Sequence, residues 1–252
     1  VSADIVYEDD LVQLWHGDYR DQLDMLNAAR PDAIVTDPPY GETSLEWDRW
    51  VDGWLIDAAL ISDALWCFGS FRMFHEHAAE FAAWRFSQDV VWEKHNGSGF
   101  HADRFKRVHE LAALWYRGDW SKIYHQVPTT TDAVKRVVRT KRRPTQMGMI
   151  EKAPFRSEDG GPRLMRSVIQ VRSAHGTAIH PTQKPPGIVA PLIEYSVPAA
   201  GLVVDLFAGS GTTALAARLI GRRCIAFEVR GEYASAAAAR LAQQNFDLEG
   251  LA

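Results

Sequence analysis

The 252-residue chain is predicted to fold as an α/β protein, an open sheet with helices on both faces. Three observations predict it. Continuous apolar bursts of strand length recur along the chain, as strands buried on both faces require. Stretches with helical spacing separate them. Near the C-terminus, a Gly-rich turn joins a strand pattern to a helix pattern. With 46% hydrophobic and 24% charged residues, the chain can bury one sizeable core.

The elements follow in order. "VQLWHGD" reads as the first strand, "YRDQLDMLNAA" as a helix and "DAIVTDPPY" as a strand that ends on two prolines. "WVDGWLIDAALI" is predicted helical, "ALWCFGS" a strand and "FHEHAAEFAAW" a helix, followed by strands in "SQDVVWEK" and "HELAALWYR". A parallel sheet is expected, because the bursts are apolar on both faces. From about Gly118 to His175, Thr, Arg, Pro and Gly dominate and periodicity is weak, which predicts an inserted region outside the sheet. Order returns at "HPTQKPPGIVAPLIEYSV", where Pro185 and Pro186 suit a helix first turn and Pro198 bounds its end. Strand "GLVVDLF", turn "AGSGTT", helix "ALAARLI", strand "RRCIAFE" and helix "EYASAAAARLAQQ" complete the chain.

Charge is unevenly spread. Between Arg117 and Arg172 there are 13 Lys+Arg against 5 Asp+Glu, although the whole chain has 28 against 32. A basic segment on an acidic body fits a polyanion partner for that segment. Cys67 and Cys224 sit in apolar runs without the close spacing of a metal or redox pair, and both read as core residues. The acidic start "VSADIVYEDD" does not resemble a signal peptide, and no apolar run reaches the roughly 18 residues of a membrane helix. A cytoplasmic protein without a membrane partner is expected.

Two motifs carry chemistry. In "DLFAGSGTT", Gly209 and Gly211 let a ligand lie against the backbone where strand turns into helix. Glu228 ends the next strand, where a carboxylate can accept from both hydroxyls of a ribose. Gly209, Gly211 and Ala214 also satisfy G-x-G-x-x-A, so an NAD-dependent oxidoreductase is a rival reading. In "DPPY", Pro39 holds Pro38 extended. The Asp37 carboxylate and Pro38 carbonyl can then accept both hydrogens of an aromatic amino group, and Tyr40 offers a face for a flat base. Acceptors that draw those hydrogens out of the ring plane free the nitrogen lone pair to attack an electrophile.

"DPPY", "DLFAGSGTT" and "HPTQKP" together resemble the DNA amino-methyltransferases, in the permuted order of their beta class, over nearly the whole chain. The resemblance implies a Rossmann-like methyltransferase sheet with a small inserted target-recognition region. Residues 1–117 would be the catalytic half, 118–175 the basic recognition region and 176–252 the cofactor-binding half. It implies S-adenosylmethionine as methyl donor, S-adenosylhomocysteine as product and no metal. Asp37, Pro38, Pro39 and Tyr40 would be catalytic. Asp205, Phe207, Ala208, Gly209, Ser210, Gly211, Thr212 and Thr213 would line the cofactor, and Glu228 would hold its ribose. Asp18 would contact its adenine, and Thr182 and Lys184 its methionine end. Arg136, Arg139, Lys141, Arg142 and Arg143 would contact DNA. Asp37 as the first motif residue favours adenine N6 in double-stranded DNA, reached by base flipping. Cytosine N4 and RNA stay open as alternatives, and a non-catalytic DNA-binding descendant should show damaged motifs, whereas these are intact. The resemblance also allows a homodimer and a cognate restriction endonuclease that reads the same site without contact. "GETSLEWDRW" is either a lid, with Trp47 or Trp50 near DNA, or a segment anchored to the core by those rings.

Overall fold

The computed structural model describes residues 3–98, 102–138, 155–173, 179–180 and 182–249. Residues 1–126 with 167–252 form one compact unit, and 127–166 form a second.

In chain order the strands are β1 (Asp4–Glu8), β2 (Val12–His16), β3 (Ala33–Thr36), β4 (Ala64–Gly69), β5 (Arg85–Ser98), β6 (Arg107–Tyr116), β7 (Thr129–Thr130), β8 (Arg136–Val138), β9 (Phe155–Ser157), β10 (Arg163–Leu164), β11 (Val168–Gln170), β12 (Leu202–Asp205) and β13 (Arg223–Glu228). The helices are α1 (Leu23–Ala29), α2 (Trp54–Ile61), α3 (Phe71–Glu76), α4 (Pro186–Ser196), α5 (Thr212–Leu219) and α6 (Gly231–Glu249). The first unit is built on a nine-stranded sheet in the order β1-β2-β13-β12-β3-β4-β6-β5-β11. The chain's two halves meet where β12 pairs in parallel with β3, Val203 beside Ala33 and Val204 beside Ile34. From that seam, connections run outward in opposite directions, which opens a crevice beyond the C-terminal ends of β3 and β12.

Side chains alternate between two cores. Ala33, Val35, Trp66, Phe68, Val203 and Ala226 pack with α4, α5 and α6. Ile34, Leu65, Val204, Ile225 and Phe227 pack with α1, α2 and α3 on the opposite face. Every residue of β3, β4 and β12 is buried, as continuous apolar bursts require. Cys67 and Cys224 are free and buried, one in each core. No helix among the described residues is long and apolar enough to cross a membrane.

Four expectations are corrected. The sheet is mixed: β2, β13, β12, β3 and β4 run parallel, but β1 is antiparallel to β2 and β6 is antiparallel to both β4 and β5. "VQLWHGD" supplies the second strand, because the mostly exposed "DIVYE" pairs ahead of it as an edge strand. The helix expected over "FHEHAAEFAAW" breaks at His77 into α3 and a 3₁₀ turn at Glu80–Ala83. Finally, the region 118–175 does not stand wholly outside the sheet. β11 pairs in parallel with β5, where Val91 donates its N–H to the Ser167 carbonyl at 2.7 Å, so edge groups that would face water are hydrogen-bonded.

Within the second unit, β7 pairs with β10 and β8 with β9, both antiparallel. Arg163 bridges Asp132 at 3.3 Å, and the Lys135 N–H donates to Asp159 at 2.7 Å. These pairs are two and three residues long, consistent with the weak periodicity of the sequence there.

Candidate active site

The crevice holds a cavity of about 540 Å³ lined from both halves of the chain. Asp37, Pro38, Pro39 and Tyr40 enter it just after β3, and Phe207, Ala208, Gly209, Ser210, Thr212 and Thr213 just after β12. Asp205, Thr182 and Lys184 complete that wall.

The turn after β12 depends on its glycines. Gly209 and Gly211 have φ of +51° and +70°, the left-handed region that costs other residues. A Cβ on Gly211 would come within 3.2 Å of Ala237. The turn is fastened from beneath by Arg240 of α6, which donates to the Ser210 carbonyl and to Thr212 Oγ1, both at 2.9 Å. Nothing in the alanine-rich helix pattern distinguished Arg240 from a surface residue. From above, the His180 ring lies 5.1 Å from that of Trp47 and 4.3 Å from that of Tyr233. Burial, with the charge of Lys184, lowers the His180 pKa to about 4, so the ring is neutral.

Two carboxylates brace this half. Asp205 accepts from Thr36 Oγ1 at 2.7 Å and from the Phe207 N–H at 3.1 Å, which ties the end of β12 to that of β3. Burial raises its pKa to about 6. Glu228, at the end of β13, accepts from the Gly209 and Arg230 N–H groups, both at 2.8 Å. Its pKa rises to about 7, burial outweighing those hydrogen bonds. Asp18 is different: its side chain is exposed and caps a 3₁₀ turn by accepting from the Arg20 N–H at 3.0 Å. Asp18, Gly211 and Glu228 are not among the described residues that line the cavity.

The "DPPY" half is a charge network. The Lys184 ammonium donates to Asp37 Oδ2 at 2.5 Å and to Glu110 Oε1 at 2.8 Å, and Lys94 reaches Glu110 Oε2 at 2.5 Å. The Tyr40 hydroxyl meets both Asp37 and Glu110. Burial opposes ionisation of Glu110, but the ammonium groups of Lys184 and Lys94 outweigh it and hold its pKa at about 2. For Lys184, burial is outweighed by the two carboxylates, which raise its pKa further. Asp37 lies above the usual carboxylate range through burial, despite Lys184. Expected at the methionine end of a cofactor, Lys184 presents only its carbonyl to the Gly-rich turn, accepting from Thr212 Oγ1 at 2.9 Å. Sequence reading missed Glu110 and Lys94; the one signal was an acid at the head of the burst "ELAALWY".

The segment after the motif is pinned. Asp48, 3% exposed, accepts from the N–H groups of Tyr40, Gly41 and Thr43 at 2.7, 2.8 and 2.7 Å. Trp50 stacks on His77 at 3.7 Å and donates to Glu80 at 2.9 Å, while Trp47 lines the cavity. Arg136 is exposed on β8; Arg139, Lys141, Arg142 and Arg143 lie outside the described residues.

Comparison with known proteins fits this arrangement. A family model described as DNA methylase matches residues 32–239. The type II methyltransferase M.ScaI of Streptomyces caespitosus is 28% identical over 261 residues, spanning 93% of this chain and 83% of its own. The putative methylase YubD of Escherichia coli (strain K12) is 32% identical over 142 residues, 55% of this chain and 59% of its own. The M1.HpyAVI–SAM complex superposes with a TM-score of 0.63 at 22% identity, covering 91% of this chain and 100% of that one. The PvuII DNA methyltransferase (cytosine-N4-specific) superposes with a TM-score of 0.61 at 18% identity, covering 94% and 88%. At these identities, the structural likeness carries the fold.

Proposed function

The chain belongs to the DNA methylase family that its residues 32–239 match, and on that premise we propose that it methylates the 6-amino group of adenine in double-stranded DNA. The family covers adenine-N6 and cytosine-N4 methyltransferases, so the chain is a DNA amino-methyltransferase. One observation carries the assignment of its site: the acceptor motif after β3 and the Gly-rich turn after β12 line one cavity at the seam of the sheet. The aspartate at the head of "DPPY" favours adenine, because in the resembling family serine there usually accompanies cytosine. The cytosine-N4 specificity of the similarly folded PvuII enzyme supports cytosine N4 as the second reading. The type II name of the Streptomyces relative supports extending the proposal to a cognate restriction endonuclease.

The residues present fit S-adenosylmethionine. Gly209 keeps a side chain off the cavity wall, Gly211 lets the turn close on α6, Asp205 and Phe207 flank the turn, and each Glu228 oxygen accepts one N–H and has a second lone pair that would take a ribose hydroxyl. When bound, the cofactor supplies a methyl group on a positively charged sulfur. The protein's part is alignment. Asp37 and the Pro38 carbonyl accept the amine hydrogens, Tyr40 stacks on the base, and the Asp37 carboxylate takes the proton the nitrogen sheds. Extracting the base from the duplex costs a few kcal/mol, offset by stacking and phosphate contacts.

Incubation with labelled S-adenosylmethionine and duplex DNA, followed by nucleoside separation, is expected to give N6-methyladenine. Label in N4-methylcytosine would replace adenine with cytosine, and no label in DNA would overturn the function. A second expectation concerns Glu228, whose raised pKa means it gains a proton below about pH 7. Ribose hydroxyls bind the ionised form, so affinity for S-adenosylmethionine should rise between about pH 6 and about pH 8. That dependence should disappear in Glu228→Gln; a flat wild-type titration would separate Glu228 from the ribose.

A further inference from the structure

We propose that Lys184 reads the target base, acting with Asp37 as an acceptor–donor pair that selects an amino group beside an unprotonated ring nitrogen on the Watson–Crick edge. The inference rests on methyl transfer to a DNA base amine and adds the group that decides which bases can present one.

The geometry is local and buried. Asp37 Oδ2 and Lys184 Nζ are 2.5 Å apart, and both residues line the cavity. The Lys184 side chain is only 6% exposed, with its ammonium 5.2 Å from the Phe68 ring centroid and 5.8 Å from that of Tyr40. An ammonium has three protons to donate. Among the described residues, Asp37 and Glu110 are its hydrogen-bond partners, which leaves one proton for a ligand. Glu110, itself held by Lys94, is the second carboxylate that fixes the ammonium.

A flipped base is read along its Watson–Crick edge. Adenine places its 6-amine one carbon from N1, and cytosine its 4-amine one carbon from N3; both show a donor beside an acceptor. An amine seated on Asp37 therefore brings that ring nitrogen against Lys184, while the Pro38 carbonyl takes the second amine hydrogen. Thymine and uracil show a carbonyl beside an N–H, which sets acceptor against acceptor and donor against donor. The amine of guanine adjoins N1–H on its Watson–Crick edge, which would meet the ammonium, and its unprotonated neighbour N3 lies on the other side of the amine, off that edge. This explains how one site can serve either amine of the family's two base types and reject the rest. The costly outcome is a base that displaces water from the third ammonium proton and offers it no acceptor in return.

The test deletes the ring nitrogen and not the protein group. In duplex substrates whose target adenine is replaced by 1-deazaadenine, wild-type kcat/KM should fall about 10- to 100-fold, the worth of one charge-assisted hydrogen bond. Replacement by 7-deazaadenine, which keeps N1, should have a much smaller effect. Loss of N1 makes the amine more electron-rich, so chemistry alone would speed transfer and cannot mimic the loss. Lys184→Met should be slow on adenine and equally slow on 1-deazaadenine. If cytosine is the methylated base, 3-deazacytosine takes the place of 1-deazaadenine. Equal wild-type rates on adenine and 1-deazaadenine would overturn the role of Lys184 while leaving methyl transfer intact. Absence of transfer to any DNA would overturn both.

Discussion

Asp37→Ala is expected to slow methyl transfer about 10²- to 10³-fold, the usual effect of removing one preorganised hydrogen-bonding group from a reacting centre. S-adenosylmethionine affinity should stay close to wild type. Asp37 bonds to Lys184 and Tyr40, whereas the Gly-rich turn is held by Asp205, Glu228 and Arg240. Single-turnover transfer of labelled methyl, paired with a cofactor-binding titration, separates the two effects. Asp37→Asn keeps one acceptor oxygen but can turn an NH₂ group toward the Lys184 ammonium, so it should lose nearly as much. Undiminished transfer by Asp37→Ala would remove this residue from the amine site.

The largest effect on stability is expected at Glu110. Its carboxylate pairs with two ammonium groups, Lys94 at 2.5 Å and Lys184 at 2.8 Å, with a side chain only 12% exposed. Glu110→Ala removes a shared counter-ion and leaves Lys94 without a carboxylate partner among the described residues, with the Trp92 ring at 4.6 Å, and breaking a buried pair in this way costs about 3–5 kcal/mol. The lower end applies because the network borders a cavity that water can enter. At about 3 kcal/mol, the melting temperature should fall by about 6–12 °C for a chain of this size. Glu110→Gln, which preserves shape and one acceptor, should lose less. An unchanged melting temperature in Glu110→Ala would mean that cavity water solvates the ammonium groups as well as the carboxylate does.

Much of the fold was legible because its central strands are buried on both faces. "AIVT", "ALWCFG" and "LVVD" can be little else, and each is a strand at or next to the seam. The edge was less legible. β1 is short and mostly exposed, and β11 is three residues in a basic, proline-containing region. Such strands exist because a neighbour offers unpaired backbone groups, a condition their own side chains do not encode. The antiparallel insertion of β6 between β4 and β5 was hidden for a related reason: apolar bursts report burial and carry no direction.

The motif residues followed the same division. By itself, the sequence determined the α/β class, the acceptor groups of Asp37 and Pro38, and the left-handed turn at Gly209 and Gly211. Those properties belong to single residues and their immediate neighbours, through fixed φ, a missing Cβ or a carboxylate at a strand end. Only the tertiary structure decided that Lys184 serves Asp37, that Glu110 and Lys94 complete the network, and that Asp18 turns to solvent. Lys184 lies 147 positions from Asp37 and Glu110 lies 70 from Tyr40. Charges that far apart in sequence acquire a common fate only when the sheet brings β3, β6 and the start of α4 to one crevice. There, burial makes each charge require a partner.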